Sequence, residues 1–190
     1  MVTLSRDDMI DGLRDLVTRL NQHGSTTSIR IVGGAAMLLR YDADRRVTPD
    51  IDASIHSTVD VEAIAREISR TRGWPEDWLN SHASGFIPFA AEPLWEPLYD
   101  DDTVSIWVAS PGSLLAMKLR AARPARDTDD IATLLAITSI TTVEAAEELY
   151  EHYFPGELPP DRAYRLLGAI FAMGLPEVPT EPERPTFGSL

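Results

Sequence analysis

The sequence predicts an α/β fold: a small mixed sheet flanked by helices, with further helices after it. Three observations predict it. The runs at 27–32, 51–56 and 103–109 are short and rich in β-branched residues, as half-buried strands are. The stretches at 5–22 and 59–72 repeat apolar residues every three or four positions, the period of an amphipathic helix. Beyond Ser110 the pattern is helical only. We therefore expect a sheet-bearing part over 1–110, a helical part over 111–175 and an extended Pro- and Glu-rich tail over 176–190.

The elements follow in order. Ser5 is a good N-cap, Asp7 and Asp8 suit the positive end of a helix, and Met9, Ile10, Leu13, Leu16, Val17 and Leu20 form its apolar stripe. His23-Gly24 ends it, and a strand over 27–32 runs into Gly33-Gly34, which opens the next helix. A polar turn over 41–46 leads to a strand that begins Asp50-Ile51-Asp52, and a second amphipathic helix carries Val61, Ile64, Ala65 and Ile68. We expect Trp74 to Asn80 to be a short helix bearing two aromatics, and 86–99, rich in proline and aromatics, to be an irregular or edge segment. Ser110-Pro111 caps and starts a helix, and Arg126-Asp127-Thr128-Asp129-Asp130 opens another. Two packing helices over 141–154 and 159–173 complete the reading.

With 190 residues the chain can bury a substantial core. It has no cysteine, which excludes disulfides and Cys-based zinc sites. No signal pattern or membrane-length apolar run occurs, so we expect a soluble, cytoplasmic protein with no membrane partner. The net charge of −13 argues against indiscriminate nucleic-acid binding. Residues 103–126 nevertheless contain no acid, while Lys118, Arg120, Arg123 and Arg126 make them locally basic. Such a face suits a narrow RNA or triphosphate contact, or simply a solvated helix.

The chemistry concentrates in 29–56. Alternation along a strand puts Asp50 and Asp52 on one face and Ile51 on the other. Two adjacent carboxylates repel unless a cation sits between them, and Mg²⁺ (or Mn²⁺), which takes a few carboxylates plus phosphate oxygens and water, fits that need. Gly33 and Gly34 lack a Cβ, so a phosphate could approach their backbone. Arg46 and Thr48 sit just ahead of the Asp pair, where an arginine could balance phosphate charge; Arg45 should face solvent. Taken singly, an Asp pair can be a solvated strand end and a Gly pair only a turn. Together they outline a site for a metal–nucleoside triphosphate (NTP) and for phosphoryl or nucleotidyl transfer. A dinucleotide-binding fold is disfavoured, because Gly33-Gly34-Ala35-Ala36 lacks the Gly-x-Gly-x-x-Gly pattern.

A second group lies further on. Lys118 is the chain's one lysine and falls on the inward stripe with Leu114, Leu115, Ala121 and Ala122. A compact ammonium there is chemically distinct from a guanidinium, though a lysine at a core edge can also merely snorkel. On the next helix, spacing puts Asp127, Asp130, Ile131, Leu134 and Leu135 on one stripe and Asp129 outside it. Asp130 could there be functional, a buried cap, or a salt-bridge partner of Arg123 or Arg126.

Gly33-Gly34-x-Ala36 followed by Arg46-x-Thr48-x-Asp50-Ile51-Asp52 resembles the core of the minimal nucleotidyltransferase fold, in the AbiEii/MenT-like branch known from toxin–antitoxin systems. Lys118 with Arg126-Asp127-x-x-Asp130 resembles the second half of that signature, so the resemblance spans about 28–136 in two blocks. It implies a DNA-polymerase-β-like palm with Mg²⁺ on Asp50 and Asp52, and an NTP resting on Gly33, Gly34, Arg46, Thr48 and Lys118. Lys118 with Asp130, or else Asp127, would complete catalysis. The acceptor it implies is RNA, in particular a tRNA 3′ end, and the partner a cognate antitoxin. Two departures stand out: Gly34 replaces the serine common in the motif, and the strand over 103–109 bears no carboxylate. An inactive NTP-binding module, a kinase and a protein hydroxyl as acceptor are the alternatives.

Overall fold

The computed structural model describes residues 2–88 and 94–187. It divides into one unit built from 1–84, 95–108 and 181–190, and another built from 85–94 and 109–180. Each has its own organisation.

In the first unit, α1 (Arg6–Gln22) begins with a full capping box. The Ser5 hydroxyl accepts from the Asp8 N–H while the Asp8 carboxylate accepts from the Ser5 N–H. After it come β1 (Thr27–Ile31), α2 (Gly33–Ala36) continuing into a π-helical turn (Met37–Tyr41), β2 (Ile51–Ser57), α3 (Val61–Arg72), β3 (Leu79–Asn80), β4 (Trp95–Asp100) and β5 (Val104–Ala109). The strands stand in the order β3-β2-β1-β5-β4, with β1 antiparallel to β2, parallel to β5, and β3 parallel to β2. The sheet is thus mixed, and the stretch expected to be irregular or edge contributes the edge strand β4. Residues 89–93 of that stretch, and 188–190 of the tail, lie outside the described residues.

Alternation gives the sheet one apolar face. Ile29, Ile31, Ile51, Ala53, Ile106 and Val108 are all but fully buried. The buried stripes of α1 and α3, which pack on each other, and Met37, Leu38 and Leu39 of the π-helical turn, on which α1 also packs, add to the core of this unit. Ser28, Arg30, Asp52, Ser54, Ser105 and Trp107 are only half-buried, on the opposite side of the pleat.

One expectation is corrected. Trp74 to Asn80 forms a turn and the two-residue strand β3 rather than a short helix. The reason is tertiary: the Trp78 indole is fully buried and donates to the Ala65 carbonyl of α3 at 2.8 Å. The Trp78 carbonyl meanwhile accepts from the Ile51 N–H at 2.6 Å. A backbone committed to β2 cannot also close helical hydrogen bonds.

Residues 181–187 form no helix or strand but are tied down along this unit. Buried Arg40, in the π-helical turn, pairs with Glu96 of β4 at 3.1 Å and with Glu181. Arg6 donates to the Glu183 carbonyl and Arg14 to the Thr186 carbonyl. Phe187 is buried against Tyr99, ring to ring at 5.7 Å.

The second unit contains α4 (Pro111–Ala121), α5 (Pro124–Ile137), α6 (Val143–Tyr153) and α7 (Asp161–Met173), with α4 on α5 and α6, and α7 on both of those. Ser110 caps α4 by accepting from the Ser113 N–H, with Pro111 in the first turn as expected. Helix α5 starts at Pro124, two residues earlier than Arg126, because a proline at the first position already has helical φ. Among the described residues no helix is long and apolar enough to cross a membrane.

Candidate active site

The sheet corner where β1 gives way to α2 is built around Asp52. The Val32 N–H donates to the Asp52 carbonyl at 2.9 Å, tying the end of β1 to the start of β2. Gly33 then adopts φ +68°, the left-handed region that side chains rarely occupy. A Cβ at Gly33 would lie 3.4 Å from Asp52 Oδ2, so the carboxylate sits directly against this glycine. The structure therefore brings Gly33 and Asp52 together.

Asp50 immediately precedes β2. Fully buried Ile51 faces the core, and Asp50 and Asp52 are both half-buried beside it. Asp50 accepts two long hydrogen bonds, from Thr48 Oγ1 at 3.4 Å and from Asn80 Nδ2 at 3.3 Å. Thr48 is buried, and its carbonyl accepts from the Leu4 N–H at 2.8 Å. Thr48 thus steadies Asp50 from its own strand approach.

Sequence reasoning missed Asn80. It pairs with Asp52 across β3 and β2 and is buried. Its amide also donates to the Asp77 carbonyl at 3.0 Å, and its Oδ1 accepts from the His82 N–H at 2.8 Å. Those two bonds fix the rotamer that presents the amide to Asp50. The one sequence signal was a polar residue following buried Trp78-Leu79, which says nothing about which carboxylate it meets.

The arginines are arranged differently from expectation. Arg45 is half-buried and Arg46 exposed. The Arg45 guanidinium lies over Gly34, where a Cβ would meet Nη2 at 2.8 Å and Cζ at 3.1 Å. Its Nη1 donates to the Arg46 carbonyl at 2.7 Å, which turns the loop back on itself.

Two carboxylates from neighbouring backbone positions, weakly hydrogen-bonded on the Asp50 side, form a donor set that fits a hard divalent cation. Among the described residues no cluster of three or more His, Asp or Glu side chains is placed to hold a metal. A Mg²⁺ ion held by two carboxylates would take its remaining ligands from water and phosphate oxygens.

In the second unit, α4 and α5 bury a charge cluster. Lys118 Nζ lies 3.1 Å from Asp127 Oδ1 and 2.5 Å from Asp130 Oδ2, with all three side chains at 7% exposure or less. The predicted stripe of α5, Asp127, Asp130, Ile131, Leu134 and Leu135, is its buried set. Asp127 also accepts from the Arg123 N–H and Nε, each at 2.9 Å, and from Arg123 Nη2 at 3.2 Å. It thereby secures the turn between the helices, where Ala122 is left-handed at φ 39°. Burial pushes the Asp127 carboxyl up, but the Arg123 hydrogen bonds and the Lys118 charge outweigh it and hold the group down at about 2.

A protein family described as "Nucleotidyltransferase of unknown function (DUF6036)" matches residues 10–168 of this chain. No curated protein and no solved structure matches it.

Proposed function

Because the chain belongs to that nucleotidyltransferase family, we propose that it transfers a nucleoside monophosphate from an NTP to an acceptor hydroxyl at the Asp50–Asp52 corner. The observation that carries the proposal is the contact of Gly33 with Asp52: a backbone position without a side chain lies directly against one carboxylate of the Asp50–Asp52 pair. Asp50 and Asp52 would hold Mg²⁺ (or Mn²⁺), which supplies charge compensation to the phosphates when bound. Gly33 and Gly34 would let the phosphate chain approach the backbone. Thr48 and Asn80 would keep Asp50 in place, and Arg46 is a further candidate for phosphate charge. In the reaction the acceptor oxygen forms a bond to the α-phosphorus, the bond to the bridging α–β oxygen breaks, and pyrophosphate leaves with that electron pair.

Lys118 and Asp130 enter the proposal through the AbiEii/MenT resemblance alone. The ammonium would neutralise charge on the departing pyrophosphate, and the carboxylate would take the acceptor proton. Asp127 is the alternative to Asp130; both accept from Lys118, and Asp127 accepts from Arg123 as well. The same resemblance supports RNA, in particular a tRNA 3′ end, as acceptor, and the role of toxin with a protein antitoxin.

One observation favours a second reading. Strand β5 carries Ser105 and Trp107 on the face that bears Asp52, and no carboxylate. An NTP-binding module without transfer activity would need none.

Purified protein incubated with Mg²⁺, each α-labelled NTP in turn and total tRNA decides between them. Label on RNA, lost in Asp50→Ala/Asp52→Ala, is the expected result. Label on protein instead would change the acceptor. Mg²⁺–NTP binding without label on RNA or protein would establish the inactive module, and transfer of γ-label alone would make the protein a kinase.

A further inference from the structure

Three large side chains of the sheet take no part in that chemistry. Arg30, Trp95 and Trp107 are all half-buried. Arg30 stands on the central strand β1, paired with Ser54 of β2 on one side and Trp107 of β5 on the other. Its guanidinium reaches the Trp95 ring of β4, 5.4 Å from the centroid. That contact uses the π-face of the ring, which satisfies none of the five guanidinium donors. Among the described residues Arg30 has no hydrogen bond and no ion pair. The Trp95 indole N–H is buried without an acceptor, a rare state for a donor.

The register says what this group faces. The Val32 N–H bonds the Asp52 carbonyl, so Asp52 is level with the end of β1, against Gly33. Arg30 and Trp107 stand on the same face of the sheet as Asp52, further from the glycines by about 7 Å along the strands. In phosphoryl chemistry the attacking and leaving oxygens are roughly in line. With pyrophosphate leaving on the glycine side, the acceptor oxygen arrives from the other side, over the face that carries Arg30 and Trp107.

The chemistry of this face suits a nucleic-acid strand. An indole stacks on any base, and a guanidinium fork takes two phosphate oxygens. Ser28, Ser54 and Ser105 add hydroxyls on the same face. The chain has 30 acids, yet Asp52 is the one acid on β1, β2 and β5, so no other carboxylate on these strands repels a phosphate. A protein hydroxyl as acceptor would bring neither a base for the indole nor a phosphate for the fork.

Resting on the nucleotidyltransferase reading, we propose that this face binds the terminal nucleotides of a single-stranded polynucleotide acceptor, with a base on Trp107 and a backbone phosphate on Arg30. Trp95 holds the Arg30 guanidinium on the face.

The test uses the full chain and a short, fluorescently labelled single-stranded RNA with a free 3′-hydroxyl. Anisotropy reads RNA affinity over a salt series, calorimetry reads Mg²⁺–NTP affinity, and a melting curve checks that each variant folds. Arg30→Gln should weaken RNA binding by about tenfold and lower the slope of log affinity against log salt by about 0.7, the share of one phosphate contact. Trp107→Leu should weaken it by about tenfold, while Trp107→Phe, which keeps a stacking ring, should stay within about threefold of wild type. Mg²⁺–NTP affinity should change by less than about twofold in all three, since the contacts are with the acceptor. Wild-type RNA affinity in folded Arg30→Gln and Trp107→Leu proteins overturns the assignment, as does an unchanged salt slope in Arg30→Gln. So does an equal loss of Mg²⁺–NTP affinity, which would make these residues NTP contacts, or label that goes to protein instead of RNA. In each of these cases Mg²⁺–NTP binding by wild type leaves the nucleotidyltransferase reading standing. If wild type binds no Mg²⁺–NTP, both fall together.

Discussion

The two clusters of acidic residues differ in how far the protein itself satisfies them. In the first unit, Asp50 and Asp52 are half-buried, and Asp50 receives only two hydrogen bonds, both longer than 3.2 Å. In the second, Asp127 is fully buried and takes four, between 2.9 and 3.2 Å. A buried carboxylate that lacked such partners would cost several kcal/mol, so α4 and α5 supply Lys118 and Arg123. Asp50 tolerates long, weak hydrogen bonds because it is only half-buried and keeps contact with solvent. A sequence with Asp at 50, 52, 127 and 130 does not distinguish these states. The partners do.

The largest expected effect is on the Asp50–Asp52 pair. Asp52→Ala should reduce nucleotidyl transfer by about a thousandfold or more, in a variant whose melting curve shows that it still folds. Wild-type transfer by the folded variant would erase the functional side of the comparison.

The closed cluster should respond in stability. Lys118→Met leaves two buried carboxylates without their shared cation and should cost about 3–5 kcal/mol in urea unfolding. A variant as stable as wild type would mean that water or rearrangement satisfies both acids, and the two clusters would no longer differ in kind. Lys118→Arg, assayed for transfer with a melt alongside, sharpens the point: a loss of transfer in a folded variant would give this lysine a part in the chemistry as well.

Asp127 gives the comparison a pH dependence. Its folded-state value is lowered to about 2 from an ordinary value near 4. A depressed carboxylate stabilises the fold above the unfolded-state value, and that contribution disappears as pH falls through the folded-state one. Asp127→Asn should therefore be less stable than wild type at neutral pH, by on the order of 2 kcal/mol, and the gap should close between about pH 4 and pH 2. A gap constant across that range, followed by chemical unfolding, would remove the charge from the explanation.

The smallest effect concerns Asn80. Asn80→Ala should cost about 1 kcal/mol of stability and weaken Mg²⁺-dependent NTP binding by about tenfold, through a less well oriented Asp50. Unchanged binding would leave Asn80 as a support for the 77–82 turn alone.

The sequence by itself determined the local faces of this protein. Period three-to-four repeats located α1, α3 and the buried stripe of α5, down to Asp127 and Asp130 inside and Asp129 outside. Alternation around Ile51 put the Asp pair on the side away from the core, and Ser5, Ser110 and the prolines marked helix starts. These features are legible because each depends on neighbours a few residues away along one backbone. Tertiary structure decided what each face meets. Trp78 leaves the helix expected of its segment because β2 and α3 take its carbonyl and its indole. Asn80 reaches Asp50 from thirty residues away, and a tail that reads as merely extended is held by Arg6, Arg14 and Arg40. Arg45, expected in solvent, covers Gly34. A contact between distant segments depends on where every intervening element packs, and a local pattern carries no record of that.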